Sequence, residues 1–505
     1  MKKLSLAILF AALVWAATAG AGQSGTWALR PFMNFTAPPA APSKDPAPVV
    51  GDSRTFWVWD LSVMPPQDKQ ITATCRGVSD HGYVFVEDAQ WNATMDQTDV
   101  DAVLAAWDEA TPAGSIDPDE GIYDIETTVY GDPPDVDGWP GIVLLYYEIG
   151  CFMGSCFDGF YRYDDQLSGT HSNQMDMLHL EATLNDPGAA YMLGVTAHEF
   201  NHMLQMVHDL NEDLWLSEAL AEAAMIVTGY DTDLDWLADF VADPTASFYG
   251  DSESVNYGAA LLLGTYLYEY GGTPLLQAIN ADDQTGTVSV EDQLITLGLT
   301  TSFASFFGDM ATAIAADYFV ETWNPTVTPE HFSYNLLSVG ELNWNQEITA
   351  GDSPATWTVT LPAGSLSGLL VNIPGEYSSG ELDLTVAGDS IDALEFGVVQ
   401  AGPSANKVIV GRFNNGTAGW PWVPLGLQVG DGDDFQAVVV AANPTNSVIT
   451  CSVDVTAVPG EGPIDDDTAD DDSGGDDDAA GDDDAAGDDD AASDDDDDDD
   501  SGCGC

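Results

Sequence analysis

The sequence predicts an α+β protein, in which a mixed sheet with a helical lobe is followed by an antiparallel β-sandwich. Residues 55–147 alternate as short strands do, whereas residues 189–320 repeat apolar side chains at three- and four-residue spacing, as helices do. Residues 341–459 alternate again, with Thr, Val and Leu punctuated by Gly, Asn and Pro. This succession of strands, helices and strands is typical of the α+β class.

The chain is strongly acidic. Its 505 residues carry 85 acidic and 10 basic side chains, a formal net charge of −75 at pH 7. Such an excess of negative charge is repelled by nucleic-acid phosphates and by anionic membrane surfaces, so neither is expected as a partner. Hydrophobic residues make up 45% of the chain, which is enough to build the cores of two or three domains.

The N-terminus has the features of a signal peptide over residues 1–19. A short basic start precedes an apolar run at residues 4–17, and Ala17-Thr18-Ala19 offers a cleavage site between small residues. The apolar run is too short for a membrane anchor, and no transmembrane segment is expected after its removal. The sequence therefore predicts an exported protein, either secreted or held at the cell surface. Residues 20–50, rich in Pro and Ala, are interpreted as a leader or pro-region.

Residues 51–335 are assigned to the mixed sheet and the helical lobe. Strands are predicted at residues 55–59, 71–75, 83–86 and 141–147, the last of them buried, and a helix at residues 100–110. Further helices are predicted at residues 190–209, 214–228, 255–270, 290–297 and 303–320. Ser289 and Asp292 resemble a capping box at the start of the fourth of these helices.

Residues 336–460 are assigned to the β-sandwich and residues 461–505 to an acidic tail. Between Asp465 and Asp500 the tail has 22 Asp and no basic residue, so it repels itself and is predicted to be disordered. The tail ends in Gly-Cys-Gly-Cys. This end has two open interpretations, a cell-surface tether and an incidental flexible terminus.

The acidity outside the tail also has two open interpretations. Roughly fifty excess negative charges remain there, which is typical of a surface adapted to salty surroundings or of Ca²⁺ sites built from Asp clusters. Asp135-Val136-Asp137-Gly138 looks like part of a Ca²⁺ loop, but it lacks the later Glu of an EF-hand. Surface adaptation is the simpler alternative, and Ca²⁺ is kept as a second candidate cofactor.

The cysteines are consistent with an oxidising compartment. Cys151 and Cys156 flank Phe-Met-Gly-Ser, and a turn at the glycine would let them close a small disulfide loop. Cys75 and Cys451 are solitary, and the sequence leaves open whether they pair with each other.

The strongest chemical signal is His198-Glu199-Phe200-Asn201-His202 within the helix predicted at residues 190–209. Two histidines four residues apart project from one face of a helix, so both imidazoles can reach one metal ion. Glu199 lies beside them, where it can act on a water molecule. With seven His in the chain, the pattern arises by chance in roughly one such sequence in a few hundred, so coincidence is a poor competitor.

A third ligand is offered by the next predicted helix. Glu218 and Glu222 lie one turn apart on the same face of this helix. One carboxylate can complete a catalytic metal site, and the other can hold the second ring nitrogen of a ligand histidine. Two solvated helix carboxylates are the alternative in so acidic a chain.

Together these motifs resemble those of the thermolysin-like gluzincins. They are most similar to secreted bacterial proteases of the hyicolysin and immune inhibitor A type, in which a His-Glu-Phe-x-His-Met helix precedes a Trp-x-x-Glu-x-x-x-Glu helix. Here Trp215 begins the second motif, and Ser217 replaces the usual Asn. The resemblance implies a zincin-like catalytic domain. It also implies the roles of the site residues: Zn²⁺ ligands at His198, His202 and Glu218, a general base at Glu199 and an outer support at Glu222.

The family commonly supplies a Tyr or His that stabilises the oxyanion formed during catalysis. Tyr257, in Asn256-Tyr257-Gly258-Ala259, is the candidate, and Tyr249 and His208 are weaker ones. A tyrosine that only packs at a helix end is the alternative. The segment between His171 and His179 either lines the cleft or forms a buried structural strand.

The sequence therefore predicts an exported zinc endopeptidase with protein or peptide substrates. Ser-x-x-Lys and Gly-x-Ser-x-Gly are missing, which argues against a serine hydrolase. The Gly-x-Met-Glu-Asn segment of aminopeptidases is also missing, which favours an endopeptidase. Two alternatives stay open: a surface-binding or adhesion protein whose zincin domain is inactive, and a zinc hydrolase with a non-peptide substrate.

Overall fold

The structure is a computed structural model, and its architecture is mixed α+β, as the sequence predicts. The residues it describes are 23–36, 39–40, 46–152, 155–230, 235–250, 254–323, 340, 342–344, 346–374, 380–401, 409–413, 417–421 and 435–459. The signal peptide and the acidic tail lie outside the described residues, so both remain predictions. No helix in the described ranges is both long enough and apolar enough to cross a membrane.

The first part of the chain builds one mixed sheet. Its strands are β1 (Gln23–Ser24), β2 (Ser53–Asp60), β3 (Gln67–Val78), β4 (Gly82–Glu87), β5 (Ile142–Tyr147), β6 (Cys151–Phe152), β7 (Ser155–Tyr161) and β8 (Met177–Glu181). The order across the sheet is β1-β7-β8-β5-β4-β3-β2, with β6 paired to β7. The pairs β4–β5, β5–β8 and β1–β7 are parallel, and the others are antiparallel.

The centre of this sheet is apolar on both faces. Every residue of β5 is buried, which confirms the buried strand predicted at residues 141–147. A strand covered on both faces reads as a continuous apolar run rather than as an alternation. The strand β3 extends further than predicted, because its polar residues 67–70 continue the ladder with β2.

The helices of the lobe pack against this sheet and against each other. They are α1 (Gly25–Leu29), α2 (Gln97–Asp108), α3 (Ile122–Tyr130), α4 (Ala190–His208), α5 (Leu214–Val227), α6 (Asp235–Ala242), α7 (Ser254–Asn280), α8 (Gly286–Thr296) and α9 (Phe303–Trp323). The helix predicted to end at Tyr270 continues as α7 beyond a kink at Gly272, whose φ is +64°. The capping box predicted at Ser289 is wrong, because α8 begins at Gly286 and Ser289 is buried one turn inside.

The later part of the chain forms two sheets that share one core, as in a β-sandwich. Their strands are β9 (Gln346–Thr349), β10 (Ala355–Leu361), β11 (Ser365–Ile373), β12 (Gly380–Gly388), β13 (Glu395–Ala401), β14 (Ile409–Phe413), β15 (Thr417–Pro421), β16 (Phe435–Asn443) and β17 (Ile449–Pro459). One sheet has the order β10-β17-β12-β15 and the other β14-β13-β16-β11-β9. The pair β9–β11 is parallel, so the sandwich is not wholly antiparallel as predicted.

The sandwich is attached to the lobe through α9, which packs on β13 and β16. Arg412 of β14 donates to Asp309 of α9 at 2.7 Å and also pairs with Glu395. The Tyr249 hydroxyl donates to the carbonyl oxygen of Pro444 at 3.0 Å. Tyr249 therefore belongs to this contact between the lobe and the sandwich.

The structure shows how the described cysteines pair. Cys151 and Cys156 form the predicted disulfide. Cys75 and Cys451 are free and buried, so the question that the sequence left open is answered, and they do not pair with each other. The reason is topological, since Cys75 lies in a core beneath the first sheet and Cys451 in the core of the sandwich.

Replacing Gly264 by Ala is expected to destabilise the packing of α7 on α5. A Cβ at this position would lie 2.3 Å from the carbonyl oxygen of Ala219, so the two helices must separate. We expect the free energy of unfolding to fall by about 1–3 kcal/mol. Chemical denaturation followed by circular dichroism measures this change.

The matched control is Gly114→Ala, because a Cβ at Gly114 meets no atom within 4 Å. This control is expected to change the free energy of unfolding by less than about 0.5 kcal/mol. Equal stability of the two variants would show that the close approach of α5 and α7 is not required.

Candidate metal centre

The three predicted metal ligands meet in the structure. His198 and His202 lie one turn apart on α4, and Glu218 comes from the adjacent helix α5. The two Nε2 atoms are 3.2 Å apart. Oε2 of Glu218 is 3.1 Å from Nε2 of His198, and Oε1 of Glu218 is 3.5 Å from Nε2 of His202. All three side chains therefore point at one small space between the helices.

These separations fit a tetrahedral zinc ion. Zinc binds nitrogen and oxygen at about 2.0–2.2 Å, which places neighbouring tetrahedral ligands roughly 3.3 Å apart. Both carboxylate oxygens of Glu218 are buried, and the imidazoles of His198 and His202 are the groups that face them. Buried carboxylate oxygens are costly unless a cation or a donor satisfies them. The donor set and the burial of its carboxylate therefore both fit the ion.

The charges of the cluster favour a cation. Burial alone would raise the pKa of Glu218, but the charges and hydrogen bonds of His202 and His198 lower it to about 2. Burial by itself lowers the pKa of His198, yet Glu218 and Glu222 outweigh it and hold that pKa well above its usual value. Glu218 is thus an ionised carboxylate at neutral pH, and the site attracts positive charge.

Each of the two histidines is oriented by a partner at its Nδ1 atom. Nδ1 of His198 lies 3.4 Å from Oε1 of Glu222, which is the outer contact that the sequence predicts. Nδ1 of His202 lies 3.3 Å from the hydroxyl of Ser217, which itself donates to Gln205. Because the Ser217 hydroxyl donates its proton to Gln205, its oxygen accepts a hydrogen bond from Nδ1–H of His202. The lone pair on Nε2 of His202 then faces the site. The sequence marked Ser217 only as a replacement for Asn and missed this role.

Glu199 is fully buried beside the ligands. Its Oε2 accepts a hydrogen bond from the backbone N–H of Tyr161 at 3.1 Å and another from the hydroxyl of Thr26 at 2.5 Å. Its Oε1 is buried and has no hydrogen-bond partner in the described part of the chain. Thr26 was not foreseen as a site residue, because it lies in the predicted leader. The sequence contains no local signal for this contact.

Tyr257 lies near the carboxylates of the site. It is buried on α7 and packs against Trp236, with ring centroids 5.2 Å apart. Burial raises its pKa well above the usual value, and the charges of Glu218, Glu199 and Glu222 add to this. The phenol therefore stays protonated and able to donate a hydrogen bond, while its role stays a prediction.

The other predicted candidates lie elsewhere. Tyr249 bonds to the sandwich, and His208 is exposed at the end of α4. His179 is buried in β8 with its Nε2 2.8 Å from Asp165, which confirms a buried strand at this position. His171 instead pairs with Asp68 near the surface.

Asp135, Asp137 and Asp176 form a second acidic group, with oxygens within 4.8 Å of one another. Asp135 is exposed, and the other two are buried. Each oxygen of the two buried carboxylates already accepts a hydrogen bond from a protein N–H group. The cluster is therefore satisfied by the protein itself, and Ca²⁺ stays a prediction.

Comparisons with known proteins find no matching family model and no matching curated protein. Solved structures show weak similarity, and three of them are described here. They are the pre-peptidase C-terminal domain of a collagenase from Bacillus anthracis (13% identity, 23% of this chain, 97% of that chain, TM-score 0.16), the Yersinia pseudotuberculosis-derived mitogen (13% identity, 22%, 91%, TM-score 0.16) and a de novo designed double-stranded β-helix (16% identity, 20%, 97%, TM-score 0.12). At these TM-scores the similarities support no conclusion about the fold or function of this chain.

Replacing Glu222 by Ala is expected to weaken zinc binding without removing a ligand. Nδ1 of His198 loses its outer partner, and loss of such a partner typically costs about 10- to 100-fold in metal affinity. Competition with a chromophoric chelator measures the dissociation constant. Glu148→Ala removes an exposed carboxylate and is the matched control. Equal zinc affinity of these two variants would contradict a supporting role for Glu222.

Proposed function

We propose that this protein is an exported zinc endopeptidase with a zincin-like catalytic domain of the thermolysin type. The observation that carries this proposal is the meeting of His198, His202 and Glu218 at tetrahedral separations. Glu199 lies next to His198 on the same helix, in the position of a base for water attack. Three ligands and an adjacent base form the minimal set for metal-assisted hydrolysis.

The chemistry follows from the placement of these side chains. A zinc ion held there would lower the pKa of a bound water and polarise a substrate carbonyl. The free Oε1 of Glu199 accepts the proton of the attacking water and then delivers it to the leaving amine. The Tyr257 hydroxyl donates a hydrogen bond to the oxyanion that develops on the substrate carbonyl.

The proposal of a peptide substrate rests on the resemblance of the two helix motifs to those of secreted zinc proteases. The strand β7 runs past Glu199, and the backbone N–H of Tyr161 reaches its carboxylate. Gly159 lets helix and strand approach closely, since a Cβ there would lie 3.1 Å from Cγ of Glu199.

Export is supported by the disulfide between Cys151 and Cys156, because disulfides persist in oxidising compartments. The predicted signal peptide points the same way. We therefore place the enzyme outside the cytoplasm of a bacterium, with the acidic tail as a candidate tether.

Replacing Glu199 by Gln tests this function. The variant keeps the shape of the side chain but cannot take a proton, so casein cleavage is expected to fall about 10²- to 10⁴-fold. Zinc content, measured by atomic absorption, is expected to stay at one ion per chain. Chelation of the zinc is expected to abolish the activity of the unmodified chain.

Glu148→Gln is the control, because it neutralises an exposed acidic side chain, and full activity is expected. If the chain binds zinc stoichiometrically but shows no Glu199-dependent cleavage of casein, the proposed endopeptidase activity is wrong. That outcome favours the inactive binding protein, whereas Glu199-dependent hydrolysis of esters alone favours a non-peptide substrate.

Replacing Tyr257 by Phe tests the oxyanion donor. Loss of one such donor typically lowers kcat by about 10²- to 10³-fold, with KM and zinc content little changed. Tyr249→Phe is the matched control, because the Tyr249 hydroxyl donates to the backbone of the sandwich at Pro444. Unchanged kcat in the Tyr257 variant would remove this residue from the mechanism.

A further inference from the structure

A cavity of about 580 Å³ lies at the C-terminal end of α4, and we call it the α4-end cavity. Its walls come from the last turn of this helix and the loop behind it, from the segment that follows β7, and from the loop between α3 and β5. None of the proposed metal ligands lines it in the described part of the chain. A cavity of this size accommodates a small organic molecule or a long side chain.

Asp209 places a carboxylate in the wall of the α4-end cavity. This side chain is only 7% exposed. Its Oδ1 accepts a hydrogen bond from the backbone N–H of Asn211 at 2.6 Å, which fixes the orientation of the group. Its Oδ2 is buried and has no hydrogen-bond partner among the described residues. A buried carboxylate oxygen without a donor is costly, so a cationic donor that reaches it gains free energy.

Arg30 lies near this carboxylate but does not neutralise the end of α4. Its guanidinium donates to the carbonyl oxygen of Leu210 and not to the free Oδ2 of Asp209. The charges of Asp209, Glu212 and Asp213 all act on Arg30. Burial raises the pKa of Glu212 to about 7, so this group carries only part of its charge at neutral pH. Two carboxylates still remain for one guanidinium, and the free carbonyl groups of the last helical turn add partial negative charge.

The rest of the wall offers no positive charge and is mainly apolar. Among the described residues that line the cavity there is no Lys or Arg. Asp283, which is exposed, adds a second carboxylate to the lining. The apolar part of the wall includes Val136, Leu167, Met206 and Val207. The cavity therefore combines negative charge with a surface for hydrocarbon groups.

This combination fits an organic cation better than a metal ion. Calcium takes about six to eight oxygen ligands. The described side chains that lie close enough together to share one metal ion belong to two other groups, neither of which includes Asp209. An ammonium or guanidinium group on a hydrocarbon stem can donate to one carboxylate oxygen while its stem packs on the apolar wall.

We propose that the α4-end cavity binds an organic cation, an ammonium or guanidinium group on an aliphatic stem, which donates to Oδ2 of Asp209. A free amine and the Lys or Arg side chain of a peptide share this chemistry. The chain itself has 85 acidic and only 10 basic side chains, so its own surface offers few competing cations. Binding here requires neither zinc nor Glu199, so the proposal is independent of the endopeptidase.

The test is isothermal titration calorimetry on the full chain without its predicted signal peptide. The probes are n-butylguanidinium and a blocked Gly-Gly-Arg-Gly-Gly peptide, at an ionic strength of roughly 0.15 M to screen general attraction to the acidic surface. The neutral control is the same peptide with citrulline in place of arginine. We expect each cation to bind at one site per chain and the citrulline peptide to bind at least about tenfold more weakly, because it lacks a charge-assisted hydrogen bond. Tighter binding of the arginine peptide than of n-butylguanidinium identifies a peptide as the source, and the reverse identifies a free amine.

Two variants locate the binding site. Asp209→Asn keeps an acceptor for the N–H of Asn211 but removes the charge, so both cations are expected to bind roughly tenfold more weakly. Val207→Trp fills the cavity without changing its charge and is expected to weaken binding as much; Val207 is 45% exposed, so the larger side chain needs no space in the core. The matched controls are Asp383→Asn and Val448→Trp, both at exposed positions of the sandwich, and each is expected to stay within about twofold of the unmodified chain.

Three results would overturn the proposal. Equal affinity for the citrulline and arginine peptides shows that charge is not recognised. Variants of Asp209 and Val207 that bind like their controls show that the cations bind elsewhere. Calcium that binds more tightly than both organic cations, and only while Asp209 is present, makes the cavity a metal site. If Asp209→Asn loses its fold by circular dichroism, Val207→Trp decides. Casein cleavage enters none of these measurements, so the endopeptidase stands or fails separately.

Discussion

A buried carboxylate between two imidazoles is the interaction on which the rest of this structure depends. Glu218 is fully enclosed, and burying its charge costs several kcal/mol unless it is matched. His198 and His202 supply that match only if α4 and α5 hold a fixed distance. The small residues Ala219 and Gly264 at the contact of α5 with α7 let these helices pack closely from the far side. The helical lobe therefore serves as a frame for three side chains.

The mixed sheet supplies the other wall of the site. The strand β7 passes beside α4, and Gly159 allows the two backbones to approach. This contact brings the backbone N–H of Tyr161 to the carboxylate of Glu199. The proposed metal ligands thus come from the helices, whereas the hydrogen bond from Tyr161 to the proposed base comes from the sheet.

The few basic residues of this acidic chain have particular structural roles. Arg162 is buried with Asp165 at 2.5 Å behind β7, in the same network as His179. Arg412 joins the sandwich to α9. Arg30 donates to the carbonyl oxygen of Leu210, and the charges of Asp209, Glu212 and Asp213 act to raise its pKa against the effect of burial. Each of these arginines lies near acidic side chains. The repulsion between negative charges that the composition predicts is therefore relieved locally, at contacts that join elements of the fold.

Much of the fold followed from periodicity, because burial of one helix face or one strand face leaves a repeat in the sequence. The helices α4 and α5 were expected within one residue of their observed ends. The predictions were wrong where contact with another strand or helix decides the local structure. The polar start of β3 is a strand because β2 pairs with it, and Ser289 is buried by neighbouring helices rather than used as a cap.

The residues of the candidate site also divide into those that the sequence predicts and those that only the structure reveals. Two histidines four residues apart must share a helix face, so the sequence by itself determined this pair, its adjacent glutamate and the two carboxylates of the following helix as one set. Only the tertiary structure decided that Ser217 supports His202 and that Thr26 bonds to Glu199. Thr26 and Glu199 are 173 positions apart. A contact of that range depends on how strands pair across the sheet, and it leaves no repeat or spacing in the sequence that local reasoning can detect.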